Sequence, residues 1–192
     1  MPRDSVPPVP DAANLYQAAL NHLARYASTE AGLRKVLMRR IDRWARLQTD
    51  ANADATEPAT RAARLAVDEV VKRLAETGAV SDTVFAESRA RGLVRAGQSR
   101  RSVQMRLVSK GVAPELARGA AETDPDTELS AALVLTRKRR IGPYRATEAT
   151  DAAARMKELA LLARAGFPRD IAERALDTDR DEAESRIFEL RR

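Results

Sequence analysis

The chain has 192 residues and a net charge of +6, with 32% charged, 44% hydrophobic and only 4% aromatic residues. It contains no cysteine, which excludes disulfides, a thiolate nucleophile and cysteine metal sites, and no apolar run is long enough to cross a bilayer as a helix. Much of the hydrophobic share is alanine, beside the strong helix formers Leu, Arg, Glu and Lys, so the composition predicts an all-α protein with several thin cores.

The opening segment, MPRDSVPPVP, lacks the apolar stretch of a signal peptide and is expected to be a flexible tail, residues 1–13, of a cytoplasmic protein. Asp11 or Asn14 can open a first helix carrying Leu15, Ala19, His22, Leu23 and Tyr26 at helical spacing. Ser28 is the predicted cap of a second helix with Leu33, Leu37, Ile41 and Trp44 along one stripe. Over residues 48–60, QTDANADATEPAT, the apolar periodicity dissolves, and a mobile insertion loop is expected. Periodicity returns with Leu65, Val67, Val70, Val71 and Leu74 and stops at Gly78.

Ser81 leads into a helix with Val84, Phe85, Ala86, Leu93 and Val94, ended by Gly97. Ser99 caps the next, which runs through Val103 and Leu107 to Gly111, and Pro114 starts a short helix with Leu116 and Ala120. Asp124-Pro125 opens another, with Leu129, Ala132, Leu133 and Leu135 ahead of a basic cluster and the breaking segment IGPYR. The last third gives Met156, Leu159, Leu161 and Leu162 up to Gly166, then Pro168, Ile171 and Leu176, and a charged final helix with Ile187 and Leu190.

Two of these segments repeat. VQMRLVSKGVAPELARGAA, residues 103–121, aligns with ELALLARAGFPRDIAERAL, residues 158–176. Leu107 falls on Leu162, Gly111 on Gly166, Val112 on Phe167, Leu116 on Ile171 and Ala120 on Ala175. A helix ending on a left-handed glycine, followed by an apolar residue that packs back, explains the pattern. A degenerate copy starts at Thr29, with Ile41 where the glycine would stand. The expected architecture is an elongated tandem array of three-helix, helix-turn-helix-like repeats. Its predicted divisions are a first module over 14–77 with the insertion 48–60, a second, basic module over 78–123, and a third over 124–192 with the C-terminal helix.

Charge singles out the middle module. Arg89, Arg91, Arg95, Arg100, Arg101, Arg106 and Lys110 lie in one stretch without an acidic residue, and a second cluster follows at Arg137, Lys138, Arg139 and Arg140. These eleven residues are the candidate contacts to an acidic or polyanionic partner.

Catalytic and metal chemistry find no support. Gly92 to Ser99 resembles a phosphate-binding loop, but Gln98 stands where the lysine is required. Asp177, Asp179 and Asp181 have the spacing of a calcium loop, but Glu182 and Phe188 occupy its glycine and terminal glutamate positions. Their simpler reading, like that of Glu122, Asp124, Asp126 and Glu128, is helix-start acids favoured by the dipole. His22, the one histidine, reads as a structural side chain, packed or partly exposed, and not as a ligand or base. No enzyme activity, metal or cofactor is expected.

Residues 70–112, VVKRLAETGAVSDTVFAESRARGLVRAGQSRRSVQMRLVSKGV, resemble the RecX family of RecA-modulating proteins. The resemblance is carried by Leu74 to Gly78, Val80-Ser81-Asp82, Phe85-Ala86, Arg89-Ala90-Arg91, Gly97, and Ser109-Lys110-Gly111-Val112. HLARYASTEAGLRKVLMRR and LARAGFPRDIAERAL look like that family's first and last modules, so the likeness spans roughly residues 14–177. Departures are Ser81 for a usual aspartate, the missing glycine at Ile41, and segment 48–60. The resemblance implies a cytoplasmic, non-enzymatic, monomeric regulator of DNA repair, recombination and the SOS response. It would bind the RecA filament (protein plus DNA), with weak non-specific DNA affinity and no membrane contact, and damp recombinase, ATPase and co-protease activity. The alternative is a stand-alone helix-turn-helix transcription regulator that uses the helix Ser99–Lys110, with Arg106 and Lys110, on DNA.

Overall fold

A computed structural model describes residues 9–48, 53–146 and 151–192. Among these residues the regular structure is helical: α1 (Ala12–Leu23), α2 (Glu30–Leu47), α3 (Ala53–Glu76), α4 (Asp82–Arg95), α5 (Arg100–Ser109), α6 (Pro114–Ala120), α7 (Pro125–Arg139), α8 (Ala152–Arg164), α9 (Arg169–Asp177) and α10 (Arg180–Arg191). A single 3-10 turn, Gly142–Tyr144, follows α7. The chain divides into two compact units, Met1–Phe85 and Ala86–Arg192, with α4 beginning in the first and continuing in the second.

Turn chemistry sets the helix boundaries. Gly78, Gly97, Gly111 and Gly166 all have positive φ, and each stands four residues after a leucine: Leu74, Leu93, Leu107 and Leu162. In every case the amide just past the glycine donates back to that leucine carbonyl, at 2.9–3.2 Å. This is the Schellman closure, which satisfies helix-end carbonyls that would otherwise be orphaned. At two of the four turns the next residue, Val112 or Phe167, is buried and seals the turn. Helix α7 ends in the same way without glycine. Arg140 takes φ 55, and the Ile141 amide donates to the Thr136 carbonyl.

The first unit packs α1, α2 and α3 around Leu15, Leu33, Leu37, Ile41, Val67, Val71 and Leu74. Burying each such side chain contributes about 1.5–3 kcal/mol. Arg34 reaches Asp68 and Arg64 reaches Asp42, both at 2.9 Å, joining the outer edges of α2 and α3. Ile41, at the position of the lost glycine, is fully buried, and α2 runs on to Leu47 where α5 stops at Ser109. Losing the glycine therefore lengthens the helix.

Several sequence expectations need correction here. The expected loop 48–60 is helical from Ala53, with residues 49–52 outside the described set. Pro58 removes only one intrahelical amide bond, and the alanine-rich surroundings and a Glu57–Arg61 pair at 3.0 Å tolerate it. The cap of α2 is Thr29, not Ser28, because the buried Thr29 hydroxyl reaches the Gly32 amide at 2.9 Å. Leu65 is 73% exposed, since the core face of α3 follows Ala63, Val67, Val70, Val71 and Leu74. Val84 and Met156 are exposed as well. The expected tail 1–13 lies partly outside the described residues, but Asp11 caps α1 and Ala12 opens it. His22 is half-buried, its ring 5.3 Å from that of Tyr26.

In the second unit α7 is buried almost all round from Glu128 to Val134, the mark of a central helix, and α9, α10 and the 3-10 turn pack on it. Its cap Asp124 accepts from the Asp126 and Thr127 amides and the Thr127 hydroxyl. Those bonds, led by the Thr127 hydroxyl, hold the Asp124 carboxyl below its usual value of 3.8. The Arg155 guanidinium does the same to Asp177, with both contacts at 2.7 Å. Carboxylates with a depressed folded pKa stabilise above the unfolded value and lose that contribution as pH falls through the folded one. The Asp124→Asn/Asp177→Asn variant should therefore lose less melting temperature than the parent between pH 5 and pH 2 (roughly the titration range of carboxylates). Identical slopes in a calorimetric pH series would refute the assignment.

A candidate partner-binding groove in the second unit

The start of α5 is held from three sides. Ser99, fully buried, accepts from the Ser102 amide at 3.2 Å and donates its hydroxyl proton to the Ala165 carbonyl at 2.6 Å. Glu128 of α7, 6% exposed, accepts from the Arg100 amide with both oxygens at 3.0 and 3.1 Å, and from the Thr123 hydroxyl at 3.2 Å. The two glycine turns then close in. A Cβ on Gly97 would meet Val134 Cγ1 at 2.9 Å, and one on Gly166 would meet Ser99 Oγ at 2.6 Å. Only glycine allows these backbones to approach so closely with φ of +82 and +91.

This clamping sets α5, the end of α7 and the end of α8 around an open groove of about 870 Å³. Four arginines line it: Arg101 and Arg106 from α5, Arg139 from α7 and Arg164 from α8. Its lining contains no carboxylate, and Met105 and Leu135 supply apolar surface. Among the described residues none of the four guanidinium groups forms an ion pair, whereas Arg34, Arg64, Arg137, Arg155 and Arg186 all do. Four unpaired like charges sharing one recess create a strongly positive local field.

Helix dipoles explain part of this charge and leave a remainder. Arg106, Arg139 and Arg164 sit in the last turns of their helices, where cations are favoured. Arg100 and Arg101 occupy the first turn of α5, which has no acidic residue of its own. There the dipole opposes them, by about 0.3–1 kcal/mol each. The helix dipole therefore does not account for Arg101 at that position.

The structure separates the other sequence candidates. Arg91 lines a different groove, with Glu87 and Glu115 of α4 and α6. Arg89, Arg95 and Arg100 are exposed outside the four-arginine groove, and Lys110 is the C-terminal cap of α5. Arg137 pairs with Glu184 at 2.9 Å, and Lys138 donates to the Ala96 carbonyl at 2.7 Å, so both tie α7 to its neighbours. Arg140 supplies the left-handed turn. The helix Pro125–Arg139 carries Arg137, Lys138 and Arg139 in its last turn and ends just before IGPYR, the segment expected to break it. Sequence reasoning misses Arg164 and Glu128. Register offered a signal for the first, because Arg164 aligns with Ser109, which lines the same groove.

The motif look-alikes resolve as helix ends. Gly92 lies inside α4, and Gly97 closes it. Asp179 caps α10 through the Asp181 and Glu182 amides, and Asp177 is held by Arg155. Among the described residues no three metal-binding side chains cluster, and no helix is long and apolar enough to cross a membrane.

Helix after helix closed by a glycine turn, with a basic groove at the junction of three of them, defines a tandem helix-turn-helix repeat protein. Comparison with known proteins narrows this. Residues 81–120 match the family description "RecX, second three-helix domain", which spans α4, α5 and α6. The regulatory protein RecX of Myxococcus xanthus is 35% identical over 167 residues, covering 86% of this chain and 85% of its own. The regulatory protein RecX of Agrobacterium fabrum is 39% identical over 106 residues, 55% of this chain and 56% of its own. The crystal structure of RecX from Lactobacillus salivarius superposes with a TM-score of 0.62 at 19% identity, covering 91% of this chain and 97% of that one, which shows a shared fold. The chain belongs to the RecX family of regulatory proteins.

Proposed function

We propose that this protein is a non-catalytic cytoplasmic regulator that binds the RecA–DNA filament and damps its ATP hydrolysis, strand exchange and co-protease activity. The observation carrying this reading is the groove of four unpaired arginines, two of which, Arg101 and Arg106, lie in the segment that matches the family's second domain. The three modules over 14–77, 78–123 and 124–192 are read as successive docking units, with the second and third together supplying the four-arginine groove. A monomer suffices for that role.

The rival reading, α5 as a solitary recognition helix, meets a physical obstacle. Helix-turn-helix proteins read bases with the N-terminal residues of that helix. Here the first amide of α5 is taken by Glu128, and the Ala165-Gly166 turn lies against Ser99 and Arg101.

The test is DNA-dependent ATP hydrolysis by purified RecA with the protein added. Suppression at sub-stoichiometric levels is expected, and unchanged hydrolysis and filament assembly at equimolar protein would overturn the proposal. Nanomolar preference for one duplex sequence in a gel shift would favour the transcription regulator instead. Direct DNA binding should be weak and non-specific, with log K falling linearly against log salt.

A further inference from the structure

We infer that the four-arginine groove takes a short acidic amphipathic helix of a partner protein, with carboxylates on the arginines and an aliphatic side chain against Met105 and Leu135. This deepens the filament reading and rests on it for the identity of the partner, though not for the chemistry of the groove.

Three observations select a peptide over nucleic acid. The first is shape. The site is a recess, whereas a duplex offers its own major groove as the recess and takes a protruding helix.

The second is the lining. Single-strand sites rely on aromatic faces on which successive bases stack, and no aromatic side chain lines this groove. Its apolar surface is aliphatic instead. Met105 is 64% exposed, on the face of α5 opposite the fully buried Val103 and Leu107, and Val108 is exposed on the same helix. A flexible thioether open to solvent inside a ring of cations suits a leucine-like side chain inserted between carboxylates.

The third is the state of the arginines. Guanidinium forks pair bidentately with carboxylates, and this chain uses that pairing elsewhere, as in Arg155 with Asp177 at 2.7 Å through both nitrogens. Arg101, Arg139 and Arg164 lack such partners among the described residues, and Arg106 is held only by its Nε donating to the Ser102 hydroxyl at 3.4 Å. The groove presents unsatisfied forks around an apolar floor, and an acidic amphipathic helix satisfies both at once.

The experiment uses the full chain and a fluorescein-labelled synthetic peptide of alternating Glu-Glu and Leu-Leu pairs, read by anisotropy beside labelled oligothymidylate. The peptide should bind, and Arg164→Glu should weaken it by about tenfold or more. Met105→Ala should weaken the peptide severalfold and leave oligothymidylate unchanged, and circular dichroism checks that both variants fold. A peptide with alanine replacing leucine should bind less well than its parent. No peptide binding overturns the inference. So does oligothymidylate that binds more tightly than the peptide, displaces it, and loses affinity in Arg164→Glu but not in Met105→Ala. Continued suppression of RecA ATP hydrolysis beside either result would leave the filament proposal standing and remove only this account of the groove.

Discussion

Arg101→Glu should abolish binding to the filament while leaving the protein at least as heat-stable as the parent. The two effects have separate causes. Arg101 sits in the first turn of α5, where the dipole disfavours a cation, so an acidic side chain there exchanges a repulsive term of about 0.3–1 kcal/mol for an attractive one. Its aliphatic stem packs on the Gly166 turn, with the Cβ and Cδ of Arg101 at 3.3 and 3.7 Å from an ideal Cβ there, and a glutamate keeps the nearer of these contacts, that of Cβ. Binding suffers because the groove loses one of four cations and gains a carboxylate facing an acidic partner. Removing one member of a desolvated charge pair costs about 2–5 kcal/mol, and reversing it costs more. Thermal melting and suppression of RecA ATP hydrolysis, measured on the same preparation, check both halves. Arg95→Glu is the control, since Arg95 is exposed and outside the groove, and it should change binding little. A fall in melting temperature that tracks the loss of binding would show that Arg101 is structural.

The helix ends were legible in the sequence because each rests on chemistry local to a few residues. A glycine that must adopt positive φ, a Ser or Asp that caps, and a proline at the first helical position leave marks in the chain itself. Ser99, Asp124, Pro114 and the four glycines all do what their positions predict. Segment 53–60 misled because its polar residues and Pro58 conceal good helix formers, and because its alanines carry little apolar contrast. The groove was half legible. Charge along the chain is visible, but whether a cation is paired depends on what tertiary structure brings beside it. Arg137 and Arg139 are indistinguishable in sequence, yet one meets Glu184 and the other faces the groove. Arg164 stood alone, outside any basic run, and joined the site only because α8 ends beside α5. Glu128 looked like one of several helix-start acids, and its reach to the amide of Arg100, 28 residues away, had no local sign.

Glu128→Ala should produce the complementary defect, a large loss of stability with groove affinity intact in molecules that remain folded. The Glu128 carboxylate is buried and satisfies the Arg100 amide and the Thr123 hydroxyl, both inside the second unit. Deleting it leaves a helix-start amide without a partner, at about 1–3 kcal/mol, and removes an anion from the positive end of α5, at up to about 1 kcal/mol more. A loss near 3 kcal/mol should lower the melting temperature by on the order of 10 °C. Glu128→Gln keeps one oxygen for the Arg100 amide and should recover part of that loss. The device occurs twice, because Asp82, the first residue of α4, accepts from the amide of Glu30 at the start of α2 at 2.8 Å in the first unit. Asp82→Ala should therefore destabilise the first unit while leaving the groove in place. Together with Arg101→Glu these variants separate the two uses of charge in the fold. The buried Glu128 and the half-buried Asp82 fix where a helix begins, while the unpaired arginines are the proposed contacts to a partner. If Glu128→Ala melts like the parent, the carboxylate does not anchor α5, and the groove needs another account of its geometry.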